Sequence, residues 1–132
     1  MLKNYQNLQF VLNNIKNSKY KAVFEYRKRK YMFGSNNYGE IPGLHNKADT
    51  DAWDVFAPGY DYQQLIIGKP YVIKKIIGYL KLDSGNHKIA ILVYVHNFNK
   101  SKAINEIRKY CDTYISQNEN GRWISLDTDF EL

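Results

Sequence analysis

Two apolar runs, Tyr71 to Leu82 and Lys88 to Val95, are separated only by Asp83-Ser84-Gly85-Asn86-His87. Both runs are rich in isoleucine, leucine, valine and tyrosine, which suit a pleated, half-buried surface. The pentapeptide between them is polar and carries a glycine, the mark of a tight reversal. A chain with this feature is committed to a β-hairpin, and the remaining segments must pack around it. Further strands are expected over Tyr20 to Phe33, where Ala22, Phe24 and Tyr26 loosely alternate with Val23 and Glu25, and over Leu65 to Ile67 and Arg122 to Leu126. Ser101 to Tyr114 is the clearest helix, with Ile104, Ile107, Cys111 and Tyr114 on one face and Ser101 as its cap. Leu2, Tyr5, Leu8, Leu12 and Ile15 stand at helical spacing; Gln9-Phe10-Val11-Leu12 before Asn13-Asn14 equally suits a strand entering a turn, and the spacing favours the helix. Gly34 to Gly43 reads as turn chemistry throughout. With 132 residues and no linker, repeat or low-complexity stretch, residues 1–132 form a single domain. Its class is mainly β (α+β), a small barrel with one C-terminal helix packed on it.

Composition narrows the partners. A hydrophobic content of 44% and a charged content of 24% are those of a globular chain rather than a disordered one. The formal net charge of +6 favours polyanions: phosphates, nucleotides or nucleic acid. The basic run Arg27-Lys28-Arg29-Lys30 reads equally as a solvated edge strand, where lysine blocks unwanted pairing. The single cysteine, Cys111, excludes an internal disulfide and reads as a buried thiol, so a reducing cytoplasm is the expected setting. No signal peptide is recognisable, and no run approaches the roughly 20 apolar residues of a membrane span.

Against that basic background, Asp49-Thr50-Asp51-Ala52-Trp53-Asp54-Val55 is a local exception. Carboxylates crowded into so short a stretch repel one another unless a cation sits between them. Hard oxygen ligands on a bent backbone are what Mg²⁺ or Mn²⁺ requires, and Asp83 from the hairpin can add a further carboxylate. The plainer explanation is a set of Asx turns and caps without metal.

The flanking residues bear on that choice. Asn37-Tyr38-Gly39-Glu40-Ile41-Pro42 resembles the Asn-Tyr-Gly-x-Ile-Pro segment of the family I soluble inorganic pyrophosphatases. Asp49-x-Asp51-x-x-Asp54-Val55 resembles that family's signature of three aspartates followed by an aliphatic residue. Gly78-x-Leu80-x-Leu82 leading into Asp83, with Lys88 opening the next strand, is similar to its metal hairpin. Tyr114 and then Gly121-Arg122-Trp123 are similar to its Tyr and Gly-Lys-Trp elements. The resemblance covers about Asn37 to Lys88 and resumes near the C-terminus; each piece is weak, and their common order is the stronger signal.

This resemblance implies a five-stranded OB-like barrel with several Mg²⁺ ions bridging acidic residues and pyrophosphate, and a metal-activated water attacking one phosphorus. Carried over, Asp49, Asp54 and Asp83 are expected as metal ligands and Asp51 as the base receiving the water's proton. Tyr38, Lys88 and Tyr114 are expected on phosphate oxygens, with Arg27 or Arg29 as the approximate counterpart of the family's arginine. The chain also departs from the pattern. Asn86 stands where the family has a further metal-bridging aspartate; its amide oxygen can ligate Mg²⁺ but brings no charge. His87 beside it suits Mn²⁺ or Zn²⁺, although a turn histidine is ordinarily just solvated. Ile115 replaces a lysine after the helix tyrosine, a tyrosine expected shortly before Asn37 falls near Gly34, and the N-terminal lysine and acidic residues have no counterpart. Trp53 and Trp123 read as packing residues.

Three functions are therefore weighed, of which the first is expected and the third is kept as its alternative. The first is Mg²⁺-dependent hydrolysis of inorganic pyrophosphate to two phosphates, with the family's dimers or hexamers making a homo-oligomer possible. The second is the same chemistry on a larger phosphoanhydride such as a nucleotide. The third is a non-catalytic descendant that binds a phosphorylated ligand, a nucleic acid or a protein. OB-like barrels do bind single strands, but four carboxylates in such a groove repel phosphate, so nucleic acid is disfavoured as a partner.

Overall fold

The computed structural model describes residues 4–16, 19–25, 37–61, 64–116 (main chain only at 115 and 116) and 121–132. Strands β1 (Lys21–Glu25), β2 (Tyr38–His45), β3 (Ala52–Phe56), β4 (Pro70–Lys81) and β5 (Lys88–Val93) form a barrel in the order β1-β2-β3-β5-β4, closed by pairing of β4 back onto β1. All neighbours are antiparallel except β3 and β5, which run parallel. Strand β6 (Arg122–Ser125) is an additional member, paired antiparallel with β4 only. Helix α1 (Leu8–Asn14) precedes the barrel and helix α2 (Lys100–Ser116) follows β5.

Alternation along the strands makes two cores, one on each side of the barrel wall. The inner one gathers Ala22, Phe24, Ile41, Trp53, Val55, Ile73, Ile89 and Ile91, with Val11 and Ile15 from α1 and the turn after it packed among them. The outer one lies under α2 and joins Tyr38, Phe56, Ile77, Leu80 and Ala90 to Ala103, Ile107, Tyr110 and Tyr114. Each fully buried aliphatic side chain contributes about 1.5–3 kcal/mol of transfer free energy. The outer core decides the site, because the residues that continue this face beyond α2 are polar.

Several local expectations are met and several are corrected. The β4–β5 hairpin, α2 and β6 occur where the periodicity places them. Helix α1 begins only at Leu8, because the Asn7 side chain caps it by accepting from the Phe10 amide, and Leu2 lies outside the described residues. Helix α2 starts at Lys100, and its cap is Asn99 rather than Ser101: Asn99 Oδ1 accepts from the Lys102 amide at 3.0 Å. The stretch Gly34 to Gly43 is not turn throughout. From Tyr38 onward it is β2, since Gly39 lets β1 press against it; a Cβ there would lie 2.1 Å from the Val23 carbonyl oxygen. Pro42 and Gly43 fall in the irregular register between Ile41 and His45, where no ladder donor is needed from proline. Leu65 to Ile67 is a turn and not a strand: Leu65 is buried while Ile66 and Ile67 face solvent, so no alternating face exists to pair. The expected strand from Tyr20 is seen through Glu25, and its continuation, including Arg27, Lys28, Arg29 and Lys30, lies outside the described residues. Cys111 is only partly buried, and that burial pushes its thiol up to about 11.

Candidate functional site

On the outer face, three neighbouring strands place three ionisable residues in a row. Glu40 on β2 is the register partner of Asp54 on β3. The parallel pairing of Val55 with Ile89 puts the preceding residues, Asp54 and Lys88, side by side. Lys88 Nζ donates to Asp54 Oδ2 at 2.5 Å, with side chains only 5% and 7% exposed. The ammonium also lies 5.9 Å from the ring centroids of both Tyr38 and Tyr114, within reach of cation–π attraction. So the buried cation is held on one side by a carboxylate and on two others by aromatic faces. Among the described residues, the other oxygen of Asp54 accepts no hydrogen bond.

The loop between β2 and β3 supplies the remaining carboxylates. Asn46 opens it, and its main chain closes a turn on itself: Asn46 N–H donates to the Asp51 carbonyl at 2.8 Å and Thr50 N–H to the Asn46 carbonyl at 2.9 Å. Thr50 takes a φ of 63°, a left-handed conformation that a β-branched residue adopts at a cost of roughly 1–3 kcal/mol. Asp49 Oδ1 accepts from the Asp51 amide at 3.0 Å, so the Asx turn proposed as the plain alternative is present. It engages one Asp49 oxygen and leaves the Asp51 carboxylate free among the described residues.

Together these residues enclose a cavity of about 270 Å³ lined by Tyr38, Glu40, Asp49, Asp51, Asp54, Asn86 and Lys88. Asn86 is one of these lining residues, and its side-chain oxygen is buried without a hydrogen-bond donor among the described residues. An orphaned amide oxygen beside carboxylates matches the donor set of a hard divalent cation. As the side chains stand, no three His, Cys, Asp or Glu groups among the described residues are close enough to grip one ion.

Six of the expected residues therefore line one cavity: Tyr38, Asp49, Asp51, Asp54, Asn86 and Lys88. Tyr114 meets the same ammonium from the α2 side and belongs to the outer core. Asp83 is exposed on the hairpin turn and does not line the cavity. Arg27 and Arg29 lie outside the described residues. Glu40 was not anticipated. Its signal becomes readable only once β2 is known to be a strand, because Tyr38 and Glu40 then share one face.

His87 is turned away from this chemistry. Its Nδ1 accepts from the Leu82 amide at 3.0 Å, and its ring stacks on Trp53, 6.3 Å between centroids. Burial, then the charges of Lys81 and Lys88, hold the imidazole below its ordinary value. It is neither merely solvated nor in the acidic cavity, so the cavity offers oxygen donors only, which suits Mg²⁺ or Mn²⁺ better than Zn²⁺. A second cavity of about 520 Å³, between Trp53, His87, Tyr5 and the Asn46–Ala48 segment, is lined without a carboxylate and does not share this chemistry.

Comparisons with protein-family models, with curated proteins and with solved structures find no match to this chain. Among the described residues no helix is long and apolar enough to cross a membrane.

Proposed function

We propose that the chain hydrolyses inorganic pyrophosphate to two phosphates in a divalent-cation-dependent reaction. The observation that carries this reading is the cavity that Asn86 and the buried Lys88 line together with Asp49, Asp51, Asp54 and Glu40. The resemblance to family I pyrophosphatases supports it, and Glu40 supplies the negative charge that Asn86 lacks.

Asp49, Asp54, Glu40 and the Asn86 oxygen are the residues that would hold Mg²⁺. A divalent ion so held would neutralise phosphate charge and lower the pKa of water toward neutrality. Asp51, at the exposed rim with its carboxylate free among the described residues, takes up the proton of the attacking water. Lys88 is a three-donor ammonium that spends one donor on Asp54 and offers the others to phosphate oxygens. Tyr38, buried beside it, fixes the ammonium through its ring and borders the same space. No covalent intermediate is needed.

The test is phosphate release from pyrophosphate with Mg²⁺, Mn²⁺ and Zn²⁺, beside a nucleoside triphosphate as competing substrate. Turnover is expected with Mg²⁺, falling by about 10²-fold or more in Asp51→Asn, which removes the base with little change of shape. Absence of metal-dependent turnover by the pure protein overturns the reading; faster turnover of the nucleotide moves it to the larger phosphoanhydride.

A further inference from the structure

Asn46 lies 5% exposed at the junction of β2 and the acidic loop, and all of its polar groups are engaged. Its main chain bonds both to Asp51 and to Thr50, as described above. Its side chain works in two directions at once. Oδ1 accepts from the Ala48 amide at 3.0 Å, within the acidic loop, while Nδ2 donates to the Gly85 carbonyl at 3.0 Å, across in the β4–β5 hairpin. Gly85 holds a φ of +85°, and a Cβ placed on it would meet Ala48 Cβ at 3.4 Å, so the two loops are in near contact at this strap. Asn46 thus winds the loop that carries Asp49 and Asp51 and ties it to the hairpin that carries Asn86 and Lys88. An amide does this because it presents an acceptor and a donor on one planar group; an aspartate would set a carboxylate against the Gly85 carbonyl.

We infer that Asn46 is a positioning residue for the divalent cation: its side chain fixes the separation between the Asp49–Asp51 carboxylates and the Asn86 oxygen. This rests on the pyrophosphatase reading, since it assigns the strap to that same site. Groups that orient metal ligands without touching the ion typically change affinity by about 10–100-fold when removed.

Asn46→Ser separates the two duties of the side chain. Serine retains an oxygen that can accept from Ala48 N–H, as in an ST turn, but is too short to reach Gly85. The expected result is a Mg²⁺ half-saturation for pyrophosphate hydrolysis raised about tenfold, with kcat at saturating Mg²⁺ within about threefold of wild type. Mn²⁺ affinity, measured by calorimetry without substrate, should weaken to the same extent. Asn46→Asp, which loses the donor and places a charge on the strap, should weaken it at least as much. Val11→Ala, a truncation in the inner core away from the cavity, is the control for simple loss of stability and should leave both metal values unchanged. If Asn46→Ser binds Mn²⁺ within about twofold of wild type, or if Val11→Ala shifts the affinity equally, the positioning role is overturned while the pyrophosphatase reading stands. If the wild-type protein neither hydrolyses pyrophosphate nor binds Mn²⁺, that reading fails and the inference with it.

Discussion

At the scale of the residue, the Lys88–Asp54 pair is the most consequential contact. Both groups are nearly fully buried, and each is the other's counter-charge. Removing one partner of such a pair costs about 3–5 kcal/mol, because the survivor is left buried without its counter-charge. Replacing both with apolar groups of similar size is often neutral or stabilising. Lys88→Met is therefore expected to lose about 3 kcal/mol in urea denaturation without metal, and the double variant Lys88→Met with Asp54→Leu to regain most of it. Phosphate release should be lost in both. A single variant as stable as wild type would show that the pair is not buried as the outer face implies. Stability recovered without activity would show that the pair serves the substrate and not the fold.

Among the elements, what was readable in the sequence follows the strength of each local pattern. Helix α2 was legible because Ile104, Ile107, Cys111 and Tyr114 repeat at helical spacing, and the β4–β5 hairpin because Gly85 separates two long apolar runs. Strand β2 was hidden, since Tyr38-Gly39-Glu40-Ile41-Pro42-Gly43 has the composition of a turn and becomes a strand through its fit against Val23 and Phe24. Hiding β2 also hid Glu40, whose position depends on register with Asp54. Motif spacing was enough to assemble Asp49, Asp51, Asp54, Asn86 and Lys88, but not to show that Asp83 is exposed and absent from the cavity lining. Strand β6 shows a further limit, because its anchoring depends on a pair remote in sequence. Lys75 on β4 ion-pairs with Asp127, just beyond β6, and Asp127 Oδ1 also accepts from the Asp129 amide at 2.9 Å. First the Lys75 bond and then that amide hold the Asp127 carboxyl below its ordinary value. A depressed carboxyl contributes stability that is present above the ordinary carboxylate range and lost as pH falls through the folded value. Lys75 is half exposed, so screening limits the effect to about 0.5 kcal/mol. Asp127→Asn is expected to cost that amount at pH 7 and nothing near pH 2, read from paired urea melts; an equal loss at both pH values would exclude the ion pair as the cause.

For the whole molecule, charge is distributed against the trend of the composition. The chain carries a formal +6, yet Glu40, Asp49, Asp51 and Asp54 converge on one small cavity with Lys88 as the cation lining it. General screening and specific ion binding then stabilise the fold by different routes. Salt weakens long-range repulsion among surplus lysines and arginines whatever its cation, whereas a divalent ion that enters the cavity relieves repulsion among specific carboxylates and binds only the folded chain. These effects separate at constant ionic strength. With Mg²⁺ at about a hundred times its dissociation constant, linkage predicts about 2.7 kcal/mol of added stability, on the order of 8 °C in melting temperature for a domain of this size. NaCl of matched ionic strength should reproduce little of that rise. Asp49→Asn combined with Asp54→Asn should remove the Mg²⁺-specific part and keep the salt-dependent part. Equal melting curves in Mg²⁺ and matched NaCl for the wild-type protein would mean that the cavity attracts no ion, and the concentration of carboxylates on the outer face would then have to be explained by the Asx turn and the Lys88 pair alone.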